Sequence, residues 1–371
     1  MKKILHLAIT YVAVLFITGC GQNSSTQNTD FEGDTLTSYS KLLTLVEHDG
    51  YFTATIADPW NPGNYLQKLI LADEQHADIA IDGYTTVTVP LKKTLVYSTV
   101  FSAAIEELKR VESIIAVADA QYFRQTSILE RLKTGSIKDV GSALSPNVEI
   151  IVACKPDAII NNPYQNAGHG VVGTLGIPII EMADYMERTP LARAVWIKFL
   201  GILYGNKTAA DSIFNATVKS YTTLKAKAPK NGPKVLTEML TSGVWYVPGG
   251  KSYMAQMLQD AGANYPWSDD TSAGSLQLDF ATVYDNAHDA DFWFVKSFGD
   301  DTTLESLGEA YSLNKKLKAY SSGGVYSVNS STTDFFESYP YHPDTLLRDY
   351  IIIFAPDSLP GEQTSFYKPV K

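Results

Sequence analysis

From Leu91 to Pro356 the chain writes one alternation twice: a short apolar strand, then an amphipathic helix, with a long helical stretch between the two runs. A parallel neighbour can be reached only by a crossover, so strand–helix–strand succession dictates a parallel sheet with helices on its faces. In the first run, residues 94–97 predict a strand. Ser98 or Thr99 then caps a helix over 100–109 with apolar Phe101, Ala104, Ile105 and Leu108 on one face. Residues 114–117 are a second strand, 147–153 a helix leading into a strand at 156–160, and 174–181 the turn and strand after another helix. Thr189-Pro190 opens the middle stretch, with Thr as cap and Pro in the first turn. Apolar positions recur at helical spacing to Tyr204, Gly205-Asn206-Lys207 interrupts, and the helix resumes over 208–227. The second run predicts strands at 234–238, 291–295 and 325–328. Its helices fall at 252–261, 280–286, 304–307, 315–318 and 344–354, with Gly262 past the end of the first and Pro356 stopping the last. The expected fold class is α/β: two α/β lobes with parallel-rich sheets joined by one long bridging helix.

Ahead of this alternation, residues 41–90 are β-rich. Runs at 42–46 and 51–56 flank Asp49-Gly50, a hairpin signal, and 65–71 and 85–89 add strands. A small N-terminal antiparallel β extension is expected at an edge. Further upstream, Lys2 and Lys3 precede an apolar stretch over 4–17 that ends in Thr18-Gly19-Cys20. Charged start, apolar middle and small-residue cleavage site make a secretory signal, too short for a comfortable membrane span of about 20 apolar residues. Ile17-Thr18-Gly19-Cys20 resembles the bacterial lipobox, which implies that Cys20 carries a diacylglycerol thioether and becomes the new N-terminus. The acyl chains would then anchor the body to a lipid bilayer. The domain division that follows is signal peptide 1–19, lipid-anchored tether 20–40, β-rich extension 41–90, N-terminal lobe 91–187, bridging helix 188–230 and C-terminal lobe 231–371. An exported protein on the periplasmic face of a membrane is expected.

A net charge of -10 offers no basic surface for phosphates, so nucleic acid is not an expected partner. With Cys20 lipidated, Cys154 has no disulfide partner, and its apolar surroundings predict a buried, inert thiol. There is no G-x-S-x-G elbow and no phosphate-cradling glycine-rich loop with its Lys and Ser/Thr. His6, His48, His76, His169, His288 and His342 never pair at metal-ligand spacing. No catalytic residue, metal site or cofactor is expected. His169, in the glycine-rich Asn166–Gly170 stretch, is the one histidine placed to reach a ligand.

Aromatic residues stand out instead: 22 Tyr, 15 Phe and 5 Trp, several of them where strands should end. Tyr97, Tyr122-Phe123, Tyr164, Tyr185, Trp245-Tyr246, Trp267, Tyr339 and Tyr341 are such positions. In open α/β sheets ligands bind outside the carboxyl ends of the strands, and an aromatic-lined cleft takes large, flat or partly apolar ligands. The ligand-binding set expected from this rule is Tyr122, Tyr164, Tyr185, Trp245, Tyr246 and Trp267.

Three stretches carry a family resemblance. Residues 94–117 are similar to a first strand, a helix and an Ile-x-Gly-Val strand; 141–160, GSALSPNVEIIVACKPDAII, to an Asn-x-Glu helix running into Lys-Pro-Asp; and 247–252, VPGGKS, to a Gly-Ser turn on the second lobe's ligand side. The chain resembles the ABC-importer substrate-binding proteins that carry ferric siderophores, haem or cobalamin, in particular lipoproteins of the Bacteroidetes type. The resemblance implies capture of a metal chelate, delivery to an ABC permease and its ATPase, and no chemistry on the ligand. It also implies docking onto permease arginines through one glutamate per lobe. Glu149 fits the first position; Ala281 falls on the second, with Asp279 two residues away. Two other readings share parts of the pattern: a lipid-anchored glycan-binding or adhesion protein would also use aromatic platforms, and a hydrolase would use Asp and His in the cleft.

Overall fold

The computed structural model describes residues 34–371. The signal peptide and Cys20 lie outside the described residues, and residues 34–40, counted above with the tether, are already folded. Asp34–Thr35 pairs antiparallel with Leu43–Glu47, and the buried Thr37 hydroxyl donates to Leu43 O while accepting from Leu45 N.

Leu43–Glu47, Tyr51–Ala57, Tyr65–Ala72 and Thr85–Thr88 continue this five-stranded sheet in chain order. Gly50, at φ +84°, makes the hairpin that Asp49-Gly50 predicted. The last pair, Tyr65–Ala72 with Thr85–Thr88, is parallel, so the extension is mixed rather than antiparallel throughout. Alternate residues Leu43, Leu45, Ala54, Ile56, Leu69 and Leu71 point to one face. That face is buried in the same core as Phe101 of the N-terminal lobe and Trp196 and Phe199 of the bridge. The sheet is also pinned by the buried Glu187 carboxylate, which accepts hydrogen bonds from the Ser40 hydroxyl, the Lys41 and Leu42 amides and Trp196 Nε1.

The N-terminal lobe is a parallel sheet in the order Ile179–Glu181, Ala158–Asn161, Thr94–Val96, Ile114–Val117, Lys138–Asp139. The helix expected before Ile179 is a single 3-10 turn, Val172–Thr174, because Pro163, Gly168, Gly170 and Gly173 oppose helix formation. The C-terminal lobe pairs Val235–Thr237, Phe292–Ser297 and Val325–Asn329 in parallel, and Lys368–Pro369 returns antiparallel at the edge. A second small sheet, Leu240–Thr241, Val244–Pro248 and Ser275–Leu278, is antiparallel. Among the described residues no helix is long and apolar enough to cross a membrane.

The bridging segment runs as three helices, Pro190–Ala194, Ile197–Leu203 and Lys207–Lys225, of which the last is the long one. Thr189 caps the first with its side chain, with Pro190 following. The second break is fixed by Gly205 at φ +68°, where a Cβ would stand 2.8 Å from Pro90 Cβ. At the start of the bridge the buried Arg193 binds Asp184 through Nε at 2.9 Å and donates to the Tyr339 hydroxyl at 3.2 Å. Its guanidinium lies over the Tyr253 and Tyr339 rings, which are joined by a 2.8 Å hydroxyl–hydroxyl bond. One side chain of the bridge thus holds residues of both lobes.

A second tie joins His342, at the head of the helix Pro343–Phe354, to Glu107 of the helix Thr99–Glu107 at 2.8 Å. The hydrogen bond to Glu107 raises the His342 pKa above its ordinary value, with smaller help from the charges of Glu107 and Asp344. A raised folded pKa means the contact stabilises fully below the unfolded value of about 6.5 and is lost as pH rises through the folded one. Wild-type protein should exceed His342→Gln by about 0.5–1 kcal/mol at pH near 5.5, with the difference gone by about pH 9. Denaturant unfolding at the two pH values measures it, and a difference that grows with pH would contradict the assignment.

Candidate functional site

The parallel strands of the two lobes end toward a common cleft. Tyr97, Ser98 and Thr99 follow the strand Thr94–Val96; Ala118, Asp119, Tyr122 and Phe123 follow Ile114–Val117; Phe298 follows Phe292–Ser297; and Ser330 follows Val325–Asn329. With Val100, Phe336 and Glu337 they line a cavity of about 380 Å³. This size falls at the low end of small-molecule sites.

Its walls are aromatic. Tyr122 is 50% exposed, Phe298 66% and Phe336 40%, a concentration of solvent-facing rings from both lobes. Tyr122 and Phe298 meet edge to face across the cleft, with ring centroids 5.8 Å apart. Asp119 holds a left-handed conformation at φ +53°, its amide donating to Gly141 O and its Oδ2 accepting from Ala143 N at 3.0 Å. Aspartate tolerates that conformation better than most side chains. At the other wall Arg124 donates to Asp334 and stands 3.7 Å from Glu337 Oε2. The Tyr97 hydroxyl and Glu337 Oε2 are buried and make no hydrogen bond. Burial pushes the Tyr97 phenol up to about 12, so it is a neutral donor and acceptor.

Of the six rings expected at the site, Tyr122 alone is among the residues that line this cavity. Trp245 is fully buried: Nε1 donates to Thr237 O at 2.8 Å, and the ring lies 5.8 Å from Trp293. The alternation of the strand Val244–Pro248 turns Trp245 into the C-lobe core and leaves the next residue, Tyr246, exposed on the other face. The neighbouring Gly249-Gly250 turn serves close packing. A Cβ on Gly250 would sit 2.4 Å from Asp270 O and 2.5 Å from Trp267 O. Trp267 is half-buried against Tyr265 and bridges two C-lobe core clusters. Tyr185 donates to Pro163 O at 2.5 Å and thereby holds the loop that carries the exposed Tyr164. In the same loop His169 pairs with Glu181 at 2.8 Å, and Asn161 donates to the other oxygen of that carboxylate.

Phe298, Phe336 and Glu337 line this cavity although the sequence does not single them out. Phe298 sits just past a strand that runs to Ser297, two residues beyond its expected end. Phe336 and Glu337 belong to the short helix Phe335–Ser338, which has no sequence signal. Glu149 is exposed in the first turn of the helix Val148–Cys154, capped by Asn147. Asp279 caps the helix Phe280–Ala287, its carboxylate accepting from Thr282 N at 2.8 Å, and Ala281 is exposed. Cys154 is a half-buried free thiol whose pKa burial raises.

The model of the periplasmic binding protein family matches residues 97–331, a range that holds the cleft strands Ile114–Val117, Phe292–Ser297 and Val325–Asn329. The chain belongs to this family. As a periplasmic binding protein it binds and does not catalyse. An uncharacterized lipoprotein of Methanocaldococcus jannaschii is 25% identical, with 99% of this chain and 96% of that protein covered. Among solved structures, the triscatecholate siderophore binding protein FeuA of Bacillus subtilis superposes with TM-score 0.55 at 18% identity, over 74% of this chain and 96% of that one. The periplasmic vitamin B12 binding protein BtuF of Vibrio cholerae gives 0.53 at 13% identity, over 71% and 96%. At such identities these likenesses speak for the two-lobed fold alone. The lipoprotein relative is archaeal, and none of the three ties this periplasmic binding protein to the Bacteroidetes.

Proposed function

We propose that the chain captures a metal chelate, a ferric siderophore or other iron complex or a cobalamin, and delivers it to an ABC importer from a lipid anchor at Cys20. The observation that carries this reading is the cavity at the strand ends, walled by Tyr122 from one lobe and Phe298 and Phe336 from the other. Facing rings clamp a bulky, partly apolar ligand by stacking and burial, each worth about 0.5–1.5 kcal/mol beyond its area. Membership of the periplasmic binding protein family and the siderophore and vitamin B12 binders among similar folds support it. Glu149, exposed at a helix start, is the proposed docking carboxylate of the first lobe. Asp279 is the weaker partner on the second, because its carboxylate already caps its own helix.

Calorimetric titration with ferric trihydroxamate, ferric triscatecholate, haem and cobalamin tests the reading. At least one should bind, and Tyr122→Ala or Phe298→Ala should weaken it up to about tenfold each. Binding of a glycan in place of every chelate would favour the adhesion reading. Unchanged affinity in both variants would move the site elsewhere.

A further inference from the structure

We propose that the cleft selects a chelate of neutral or positive overall charge and excludes polyanionic chelates, an inference that rests on the transport reading and narrows it. Among the described residues, those lining the cavity include two carboxylates, Asp119 and Glu337, and no Lys, Arg or His. Arg124 follows the lining Phe123 in sequence, but its guanidinium is engaged by Asp334 and faces Glu337 at 3.7 Å. Arg124, Asp334 and Glu337 together carry one net negative charge, and Asp119 adds another. The helix Thr99–Glu107 opens at the cavity through Ser98, Thr99 and Val100, and its N-terminus contributes roughly +0.5 of a charge. Half a positive charge does not offset two negative ones, so the wall repels an anion.

The rings act in the same direction. The exposed faces of Tyr122, Phe298 and Phe336 are electron-rich and attract a cation held over them. The Tyr97 hydroxyl, buried without a partner, supplies a neutral hydrogen bond to the ligand's polar rim. Glu337 Oε2, also without a donor, is placed to receive an ammonium or hydroxyl hydrogen. Rings with acceptor oxygens and no free cation suit a hydroxamate chelate bearing an amine, or a corrinoid. They do not suit a triply charged tris-catecholate, since like-charge juxtaposition costs several kcal/mol, a hundredfold or more in affinity.

The test uses the full chain and three ferric chelates: a trihydroxamate with a free ammonium group, the same chelate with that amine acetylated, and a triscatecholate. Titration calorimetry at low salt should rank them in that order, with the first and last at least about 100-fold apart. Asp119→Asn combined with Glu337→Gln should shrink that gap at least tenfold. A far-ultraviolet circular dichroism spectrum and a denaturant unfolding midpoint matching the parent's show that the variant is folded. A triscatecholate bound as tightly as the ammonium chelate overturns the proposal and leaves the transport reading standing; so does a gap the double variant does not alter. If none of the three binds, and neither haem nor cobalamin does, the transport reading fails and takes this inference with it.

Discussion

Arg193→Ala is expected to lower folding stability by about 3–5 kcal/mol, the cost of leaving a buried charge without its partner. Asp184 is fully buried, and its Oδ1 already has no hydrogen bond; among the described residues Arg193 is the cation that pairs with it, at 2.9 Å. The substitution also removes the cation from between Tyr253 and Tyr339 and leaves the latter's hydroxyl without its Arg193 donor. Chemical denaturation measures the loss. Arg193→Met with Asp184→Leu separates the charge from the packing and should recover most of the stability, because a buried ion pair is often replaceable by apolar volume. A single-variant loss below about 1 kcal/mol would show that Asp184 is relieved by water or protonation instead.

Trp245→Ala is expected to cost about 3–5 kcal/mol as well, through a cavity in the core and a lost indole hydrogen bond. Trp245 lies against Trp293 and Phe280, and its Nε1 bonds Thr237 O. Below the melting temperature the variant should bind any chelate that the parent binds within about twofold of the parent, since none of these partners lines the cleft. A tenfold drop in affinity in a protein shown to be folded would return Trp245 to the binding site.

Trp245 also shows where the sequence stops being legible. Strands such as Ile114–Val117 and Ala158–Asn161 are apolar runs, the second closing on the polar Asn161, and the caps Asn147, Thr189 and Ser252 announce their helices. Those signals are local, so the two lobes, their order and the strand ends followed from them. Which ring faces the cleft is not local. Along Val244–Pro248 the period of two says that Trp245 and Tyr246 face opposite sides, but only the partners Leu240–Thr241 and Ser275–Leu278 decide which side is core. Phe336 reaches the cavity from a helical turn more than 200 residues from Tyr122, by a chain path that no spacing rule describes. The strand-end rule reaches Tyr122 of the candidate cleft, and a strand drawn to Ser297 brings Phe298 beside it.

The stretch that bears the family signature, residues 97–331, is smaller than the folded unit. The N-lobe core is completed upstream by Leu43, Leu45, Ile56, Leu69 and Leu91, and downstream by Tyr341. In the other lobe the buried Asp349 carboxylate accepts the amides of Ser365, Phe366 and Tyr367 and so leads the tail to its edge strand Lys368–Pro369. A fragment trimmed to the signature would uncover apolar faces at both ends and strand Glu187, whose acceptor sites are filled from Ser40, Lys41 and Leu42. The folded unit of this protein therefore extends past the family limits on both sides, at least to the strands Asp34–Thr35 and Lys368–Pro369. A piece excised at the family limits is expected to aggregate, which light scattering of the purified fragment would detect.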